Sequence, residues 1–389
     1  MAYGVVCGVG SDRIGFLLEL ARLARDRSGT YRGSIVSSYA HVSGKLALGY
    51  VFVDANADQL KQIRKESADL EEKKAIHVLE EDATIPTHAK GSVALASFRL
   101  ESPDKPGLLA FLTGAADESG LSVQSHTGRV SRDKLRFEQT IDFLVSANSQ
   151  YDVFLARLRN EGEKEWHIAT IENDYKTIHA PYVHRSALGF VESRPRREAR
   201  RTENPGAARG RLLSLFYALT ADRRALVRDL AEFITLRGGN IVYGHAQVLG
   251  NLALLSAYVE ASKDELETMY SGKRKFEQDS GIALFHKPTA LRTVPQGTSR
   301  VAYATIRALD MPGLLEKLTT LAAENGLDIT YHAGALDGSD YRQQIELLVL
   351  PEAHCNWVRF LGAYEGLKTQ LSLLGDWRFG ELNFPAEAA

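Results

Sequence analysis

The sequence predicts an α+β protein made of four tandem βαββαβ modules. Three observations carry that prediction. A short phrase recurs four times, as Asp12-Arg13-Ile14-Gly15, Asp104-Lys105-Pro106-Gly107, Asp222-Arg223-Arg224-Ala225 and Asp310-Met311-Pro312-Gly313. Each copy follows a short apolar run, Val5–Val9, Val93–Leu100, Leu212–Leu219 and Val301–Leu309, with the length and composition of a central strand. Each copy precedes apolar residues spaced three and four apart, such as Leu108, Leu112 and Ala115, or Leu314, Leu318, Leu321 and Ala322. That spacing lays one stripe of a helix against a core. Self-similarity at long period marks a repeat architecture. The first-to-third and second-to-fourth separations are nearly equal, the pattern of a pair of modules that was itself duplicated.

The remaining elements follow in order. Gly29, Gly120, Gly238 and Gly326 stand where a left-handed residue stops the first helix of each module. Two strands come next, joined by turns near Ser43-Gly44, Arg132-Asp133, Leu249-Gly250 and Gly338-Ser339. A polar-faced helix follows at Asp58–Leu70, Tyr151–Asn160, Lys263–Phe276 and Ala353–Leu367. The last strand is expected at Ala75–Leu79, Trp166–Ile171, Ile282–Phe285 and Ser372–Trp377. The modules run 1–82, 91–178, 209–287 and 299–380. This element order is the split-βαβ, ferredoxin-like unit, an antiparallel sheet with two helices on one face.

Two expectations concern the sheets. The third strands of modules one and three, Leu46–Val53 and Leu252–Val259, are apolar at nearly every position, so their open faces are expected to be buried against another sheet, within the chain or in a homodimer. In module two Arg136, Glu138, Thr140 and Asp142 alternate with apolar or amide residues instead. The modules are expected in two pairs with side-by-side antiparallel sheets, because open strand edges invite uncontrolled association. His126 and His332 each stand four residues after a strand start. Simple alternation puts Ser122, Gln124 and His126 on one face and Val123 on the helix-covered face, so His126 is expected on the open face.

Composition bounds the function. The chain has 389 residues, 44% apolar and 25% charged, with a formal charge of -2, which gives no overall bias toward nucleic acid or anionic membranes. The two cysteines, Cys7 and Cys355, cannot form a disulfide framework, and no zinc spacing exists, so a reducing, cytoplasmic setting is expected. The N-terminus has no signal-peptide pattern, and no apolar run approaches the ~20 residues that span a bilayer. The join at Arg194–Arg211 holds seven arginines against Glu198 and Glu203 and reads as a solvated linker or a contact for an acidic partner. No metal or cofactor is implied, and nucleic acid and membrane partners are not expected.

The recurring phrase has a chemistry of its own. It lies where a strand gives way to a helix, whose first N–H groups have no intrahelical partner and carry partial positive charge. A ligand carboxylate fits there. Pro106 and Pro312 fall in the first turn, where a missing N–H costs nothing. Gly15, Gly107 and Gly313 allow close backbone approach. Asp12, Asp104, Asp222 and Asp310 can cap the helix or accept an ammonium, with Arg13, Ile14, Lys105 and Met311 completing the loops. At the following strand starts Ser34, Ser122, Asn240 and Asp328 add polar groups. The same Asp-to-Gly phrase is also plain turn chemistry. Module three departs most: Ala225 replaces the glycine, so its loop is expected to be the emptiest.

Gly8-x-Gly10 near Gly15 lacks the dinucleotide spacing, and no GxxxxGK[ST], HExxH or GxSxG is present. An RNA-recognition unit shares the topology but needs aromatics in register on its central strands, which are absent.

The Asp-x-Pro-Gly phrase and the strand starts Gly33-Ser34-Ile35, Leu121-Ser122-Val123, Gly239-Asn240-Ile241 and Leu327-Asp328-Ile329 resemble the ACT domain, in the style of the paired domains of glycine cleavage system transcriptional repressors. The resemblance implies amino-acid binding at domain interfaces, between the first loop of one domain and the second strand of its neighbour. Some enzymes carry ACT domains as attachments, but the four modules leave only linkers and a tail, so a non-enzymatic regulator is expected, with a homodimer as the assembly and an enzyme or regulator protein as the partner. A ligand-independent interaction scaffold is the other reading.

Overall fold

The computed structural model describes residues 2–13, 15–23, 33–43, 45–74, 76–84, 87–88, 93–130, 136–146, 149–177, 182–183, 211–223, 225–289, 300–309, 314–337, 340–349, 354–375 and 377–381. The elements run β1 (Ala2–Ser11), α1 (Phe16–Arg22), β2 (Gly33–Ser43), β3 (Leu46–Ala55), α2 (Ala57–Lys74), β4 (His77–Ala83), the short β5 (Thr87–His88), β6 (Val93–Pro103), α3 (Leu108–Glu118), β7 (Ser122–Val130), β8 (Arg136–Ser146) and α4 (Tyr151–Arg157). A π turn (Leu158–Gly162) leads into α5 (Glu163–Glu165), then β9 (Ala169–Thr177), β10 (Tyr182–Val183), β11 (Arg211–Ala221), α6 (Leu226–Thr235), β12 (Asn240–Leu249), β13 (Leu252–Ser262), α7 (Lys263–Ser280) and β14 (Phe285–Thr289). The last set is β15 (Arg300–Leu309), α8 (Leu314–Glu324), β16 (Asp328–Asp337), β17 (Asp340–Val349), α9 (His354–Leu371) and β18 (Arg378–Glu381).

The chain divides into two compact units, one from Met1–Thr84 with Leu291–Ala389, the other from Ile85–Gly189 with Asn204–Ala290. The first holds an eight-stranded sheet in the order β18-β15-β17-β16-β2-β3-β1-β4, the second one in the order β14-β11-β13-β12-β7-β8-β6-β9. The long pairings are antiparallel. Each sheet is continuous across a central seam, β16 with β2 and β12 with β7. In both units, therefore, the partners are not the sequence-adjacent halves of the duplicated pair: the first βαββαβ run meets the last, and the two inner runs meet each other.

Why the helices form where they do is visible in what they bury. Phe16, Leu17, Leu20 and Ala21 of α1 enter the core of the first unit, joined there by Leu315 of α8. In the second unit α3 buries Leu108, Leu112, Ala115 and Ala116, and α6 buries Leu226, Leu230, Phe233 and Ile234. Each full burial of such a side chain contributes about 1.5–3 kcal/mol. Gly120, Gly238 and Gly326 end α3, α6 and α8 at φ 72°, 84° and 63°, as expected of left-handed stops; Gly29 lies outside the described residues. The longer helices present one apolar stripe each, for example Leu266, Met269 and Phe276 of α7, which opens with a capping box of Ser262 and Glu265.

Three expectations are corrected. First, the closing strands lie several residues later than the apolar signal suggested. Ile76, Ile168, Ile282 and Leu373 precede their strands and plug the core. The strands themselves are edge strands, with polar runs such as Glu80-Glu81-Asp82 and Glu172-Asn173-Asp174, so hydrophobicity does not mark them. Second, Asp142 does not face water: it is buried, and Ser125 Oγ donates to its carboxylate.

Third, His126 is not on an open face. The ladders β2–β3, β7–β8, β12–β13 and β16–β17 all carry a register shift one residue after the strand-start pair, around Val36, Gln124, Val242 and Thr330. One extra residue inverts the facing of everything beyond it. Val123 opposes Phe143 and His126 opposes Ile141, so both point to the helix-covered core. His332 opposes Ile345 in the same way. The strands β3 and β13 are buried at nearly every position, on both faces.

Candidate functional site

The three described copies of the phrase share one backbone device. Gly15, Gly107 and Ala225 take φ of 88°, 91° and 67°, immediately before α1, α3 and α6. No side chain caps any of the three helices. The first helical bonds are donated by the amides of Glu19, Phe111 and Asp229 to the carbonyls of those residues, at 2.9, 2.9 and 2.8 Å. Of the amides in between, those of Phe16 and Leu108 donate back to the Arg13 and Lys105 carbonyls at 3.2 and 3.3 Å, and the others have no intrahelical acceptor.

The loops differ in charge. Arg13 pairs with Glu19 in the first turn of α1 and donates to the carbonyl of Lys74 at 3.3 Å. Arg223 repeats this arrangement, pairing with Asp229 at 2.8 Å and donating to the carbonyl of Ser280 at 2.6 Å. These two loops place a carboxylate in the first helical turn, where it complements the helix dipole without capping an amide. The α3 loop has no acidic residue in its first turn. There the Asn240 Nδ2 amide donates to Asp104 Oδ2 at 3.1 Å, across the boundary between the β6–β9 and β11–β14 halves of the second unit. Asp104, Lys105, Pro106, Gly107 and Asn240 line one open cleft, with Leu108, Leu109, Phe137, Thr235 and Ile241 as its remaining walls.

The predicted residues are thus placed as follows. Asp104, Lys105, Pro106, Gly107 and Asn240 come together. Asp12 anchors its loop by donating its backbone amide to the Lys45 carbonyl at 2.9 Å. Arg13 is engaged with Glu19, and Gly15 holds the left-handed turn. Ser122 begins β7 but does not line the neighbouring cavity, which Leu121, Val123 and Gln124 line instead. Asp328 begins β16 and is buried. Ile14, the side chain of Ser34, and Asp310, Met311, Pro312 and Gly313 lie outside the described residues. Phe137, Thr235 and Gln124 carry no sequence signal of their own; only the seam and the bulge bring them to these positions.

Beneath the seam lie neutral histidines. His126 Nε2 meets Gln139 Oε1 at 3.3 Å and His332 Nε2 meets Gln343 Oε1 at 3.1 Å; burial lowers both imidazoles to about 4. His245 Nδ1 meets Thr127 Oγ1 at 3.3 Å and is lowered to about 3, first by burial and then by His126. Burial pushes the Cys7 thiol up to about 12, far from a reactive thiolate. Among the described residues no group of three or more His, Cys, Asp or Glu side chains could hold a metal ion, and no helix is long and apolar enough to cross a membrane.

No family model and no curated protein matches the chain. Solved structures do. A glycine cleavage system transcriptional repressor is similar over 44% of this chain and 99% of its own, at 17% identity and a TM-score of 0.33. Aspartate kinase from Synechocystis is similar over 89% of this chain and 51% of its own, at 12% identity and a TM-score of 0.33. The acetolactate synthase small subunit from Thermotoga maritima is similar over 44% of this chain and 98% of its own, at 13% identity and a TM-score of 0.18.

Proposed function

We propose that the chain is a non-catalytic regulatory protein of four ACT-like modules that binds an amino acid in the cleft of Asp104, Gly107 and Asn240. The observation that carries this reading is the Asn240–Asp104 hydrogen bond at the mouth of an uncapped helix. A ligand ammonium would take the Asp104 carboxylate, and a ligand carboxylate would take the α3 amides. Asp104 and α3 belong to one half of the unit and Asn240 to the other, so a ligand that takes Asp104 from Asn240, or is held by both, changes how those halves hold each other. Regulation then follows if the ligand prefers one arrangement of the halves. The regulated partner is an enzyme or regulator protein met in the cytoplasm, and a homodimer is the assembly we expect.

The second reading, a scaffold without ligand, is favoured by the Arg13–Glu19 and Arg223–Asp229 pairs, which fill their own loops. Calorimetric titration with each of the twenty amino acids separates the two. Binding that is lost in Asn240→Ala and in Asp104→Ala supports the regulator. Absence of heat and of any thermal shift with all twenty supports the scaffold.

A further inference from the structure

We infer that the chain is a dimer folded into one polypeptide: an N-terminal arm, 1–178, and a C-terminal arm, 209–380, recognise each other through one interface used twice, and matched side chains decide which module docks on which. The partner this interface fits is a two-module arm of the chain's own kind. The inference concerns assembly and does not depend on a ligand in the Asp104 cleft.

The two seams match pair for pair. His332 opposes Ala40 in the first unit as His126 opposes Ala246 in the second, and Gly334 opposes Ser38 as Gly128 opposes Gly244. The roles of the arms are exchanged: the strand with the histidine, β16 or β7, belongs to the C-terminal arm in one seam and to the N-terminal arm in the other. The same side chains also cross each seam. Leu315 completes the core of the first module and Ile329 packs against it; Leu109 and Val123 do the same for the third. Shared cores of this kind belong to permanent interfaces. Each arm takes part in both seams, so the arms separate only when both part together.

Where the seams differ, they differ in matched pairs. Across the first, the buried hydroxyls of Ser38 and Tyr341 meet at 2.6 Å. The second has Gly244 and Phe137 at those places, and neither carries a hydroxyl. Across the second, Thr127 Oγ1 and His245 Nδ1 lie 3.3 Å apart. The first has Ala333 and Tyr39 there, and Tyr39 meets Tyr331 edge-on at 5.9 Å. Between the helices Arg22 of α1 lies 3.8 Å from the buried Glu316 of α8, whereas Arg228 of α6 pairs with Asp117 of α3 at 2.6 Å. Docking modules that are adjacent in sequence breaks these matches. The Ser38 hydroxyl would face Phe137, and His245 would face Ala333. Glu232, which stands on α6 where Arg22 stands on α1, would face Glu316. Buried hydroxyls left unpaired and like charges set together reject the wrong partner. Because both seams are closed within one chain, a homodimer of whole chains uses other surfaces.

The test inserts a site-specific protease sequence, flanked by flexible glycine–serine spacers, between Gly206 and Ala207 of the full chain. After cutting, sedimentation at micromolar concentration should show one species with the mass of the uncut chain. The urea midpoint should rise with protein concentration in the cut chain and not in the uncut one. Ser38→Ala, Tyr341→Phe and the two together are then compared in the cut chain. Each single substitution leaves one buried hydroxyl behind and should loosen the arms about tenfold. The double substitution removes both hydroxyls and should fall well short of the product of the singles. Arms that sediment separately after cutting, or an arm that leaves solution, overturn the dimer within one chain. Single effects that simply multiply in the double overturn the matching of Ser38 with Tyr341.

Discussion

Ala225 is the one described copy of the loop that places a side chain where Gly15 and Gly107 have none, and its φ of 67° puts that methyl in the left-handed region. For an L-residue this conformation costs roughly 1–2 kcal/mol. Replacing it by glycine removes the strain but enlarges the freedom of the unfolded chain, worth about 0.4–1 kcal/mol in the opposite direction. Ala225 lines an open cleft beside Thr113, Gln124 and Arg228, so its methyl has few neighbours to lose. The difference leaves Ala225→Gly more stable by about 0.5–1 kcal/mol. In a cooperative unit of about 150–250 residues that raises the melting temperature by about 1–4 °C. Differential scanning calorimetry reads it directly. The reciprocal change is the control: at Gly107 an added Cβ meets Trp166 and Thr235 only at 3.4 and 3.5 Å, ordinary contact distances. Gly107→Ala should therefore destabilise through backbone strain alone, by about the same 0.5–1 kcal/mol. If Ala225→Gly lowers the melting temperature, or Gly107→Ala raises it, the assignment of these residues to a strained left-handed turn is refuted.

Two further outcomes follow from the seam. His126 and His245 fold neutral, lowered to about 4 and about 3 from an ordinary 6.5; the unfolded chain takes up protons below 6.5 that the folded chain refuses, so stability is full above that pH and falls as the pH drops toward 4. Each unit of difference ties about 1.4 kcal/mol to this window, and His126→Asn with His245→Asn should flatten the acid limb of a urea-midpoint profile; an unchanged slope would count against burial as the cause. A Cβ at Gly244 would lie 3.2 Å from the His126 ring, so Gly244→Val should cost about 1–3 kcal/mol by overpacking. His126→Ala in the same chain should recover much of that loss, and a purely additive double-variant cycle would show that the two do not meet.

The sequence made the order of elements legible because periodicity switches cleanly between the apolar runs and the three-and-four spacing around Leu112 or Leu318. It also marked the turn that Gly107 makes and the polar start of β12 at Asn240. The facing of His126 was not legible, since a bulge adds one residue without any compositional trace. Nor were the closing strands, whose polar residues obey their edge position rather than any alternation. Gln124 could be found only once the bulge had reversed its direction. Which halves pair was equally hidden: the seam residues Tyr331 to Ala335 and Ser37 to His41 meet through the backbone ladder, with Tyr39 and Tyr331 edge-to-face across it at 5.9 Å, which two separate stretches of sequence do not advertise.

That β2 hydrogen-bonds to β16 has a consequence for how the molecule comes into being. A ribosome releases β2 before the two inner runs and β16 after them, so the inner runs can close their own sheet while β2 still waits, like brackets opened early and shut last. Until then β2 is a naked edge of the kind that recruits stray strands. A chain stopped before Asp328 would complete the inner unit and leave the outer one permanently unshut.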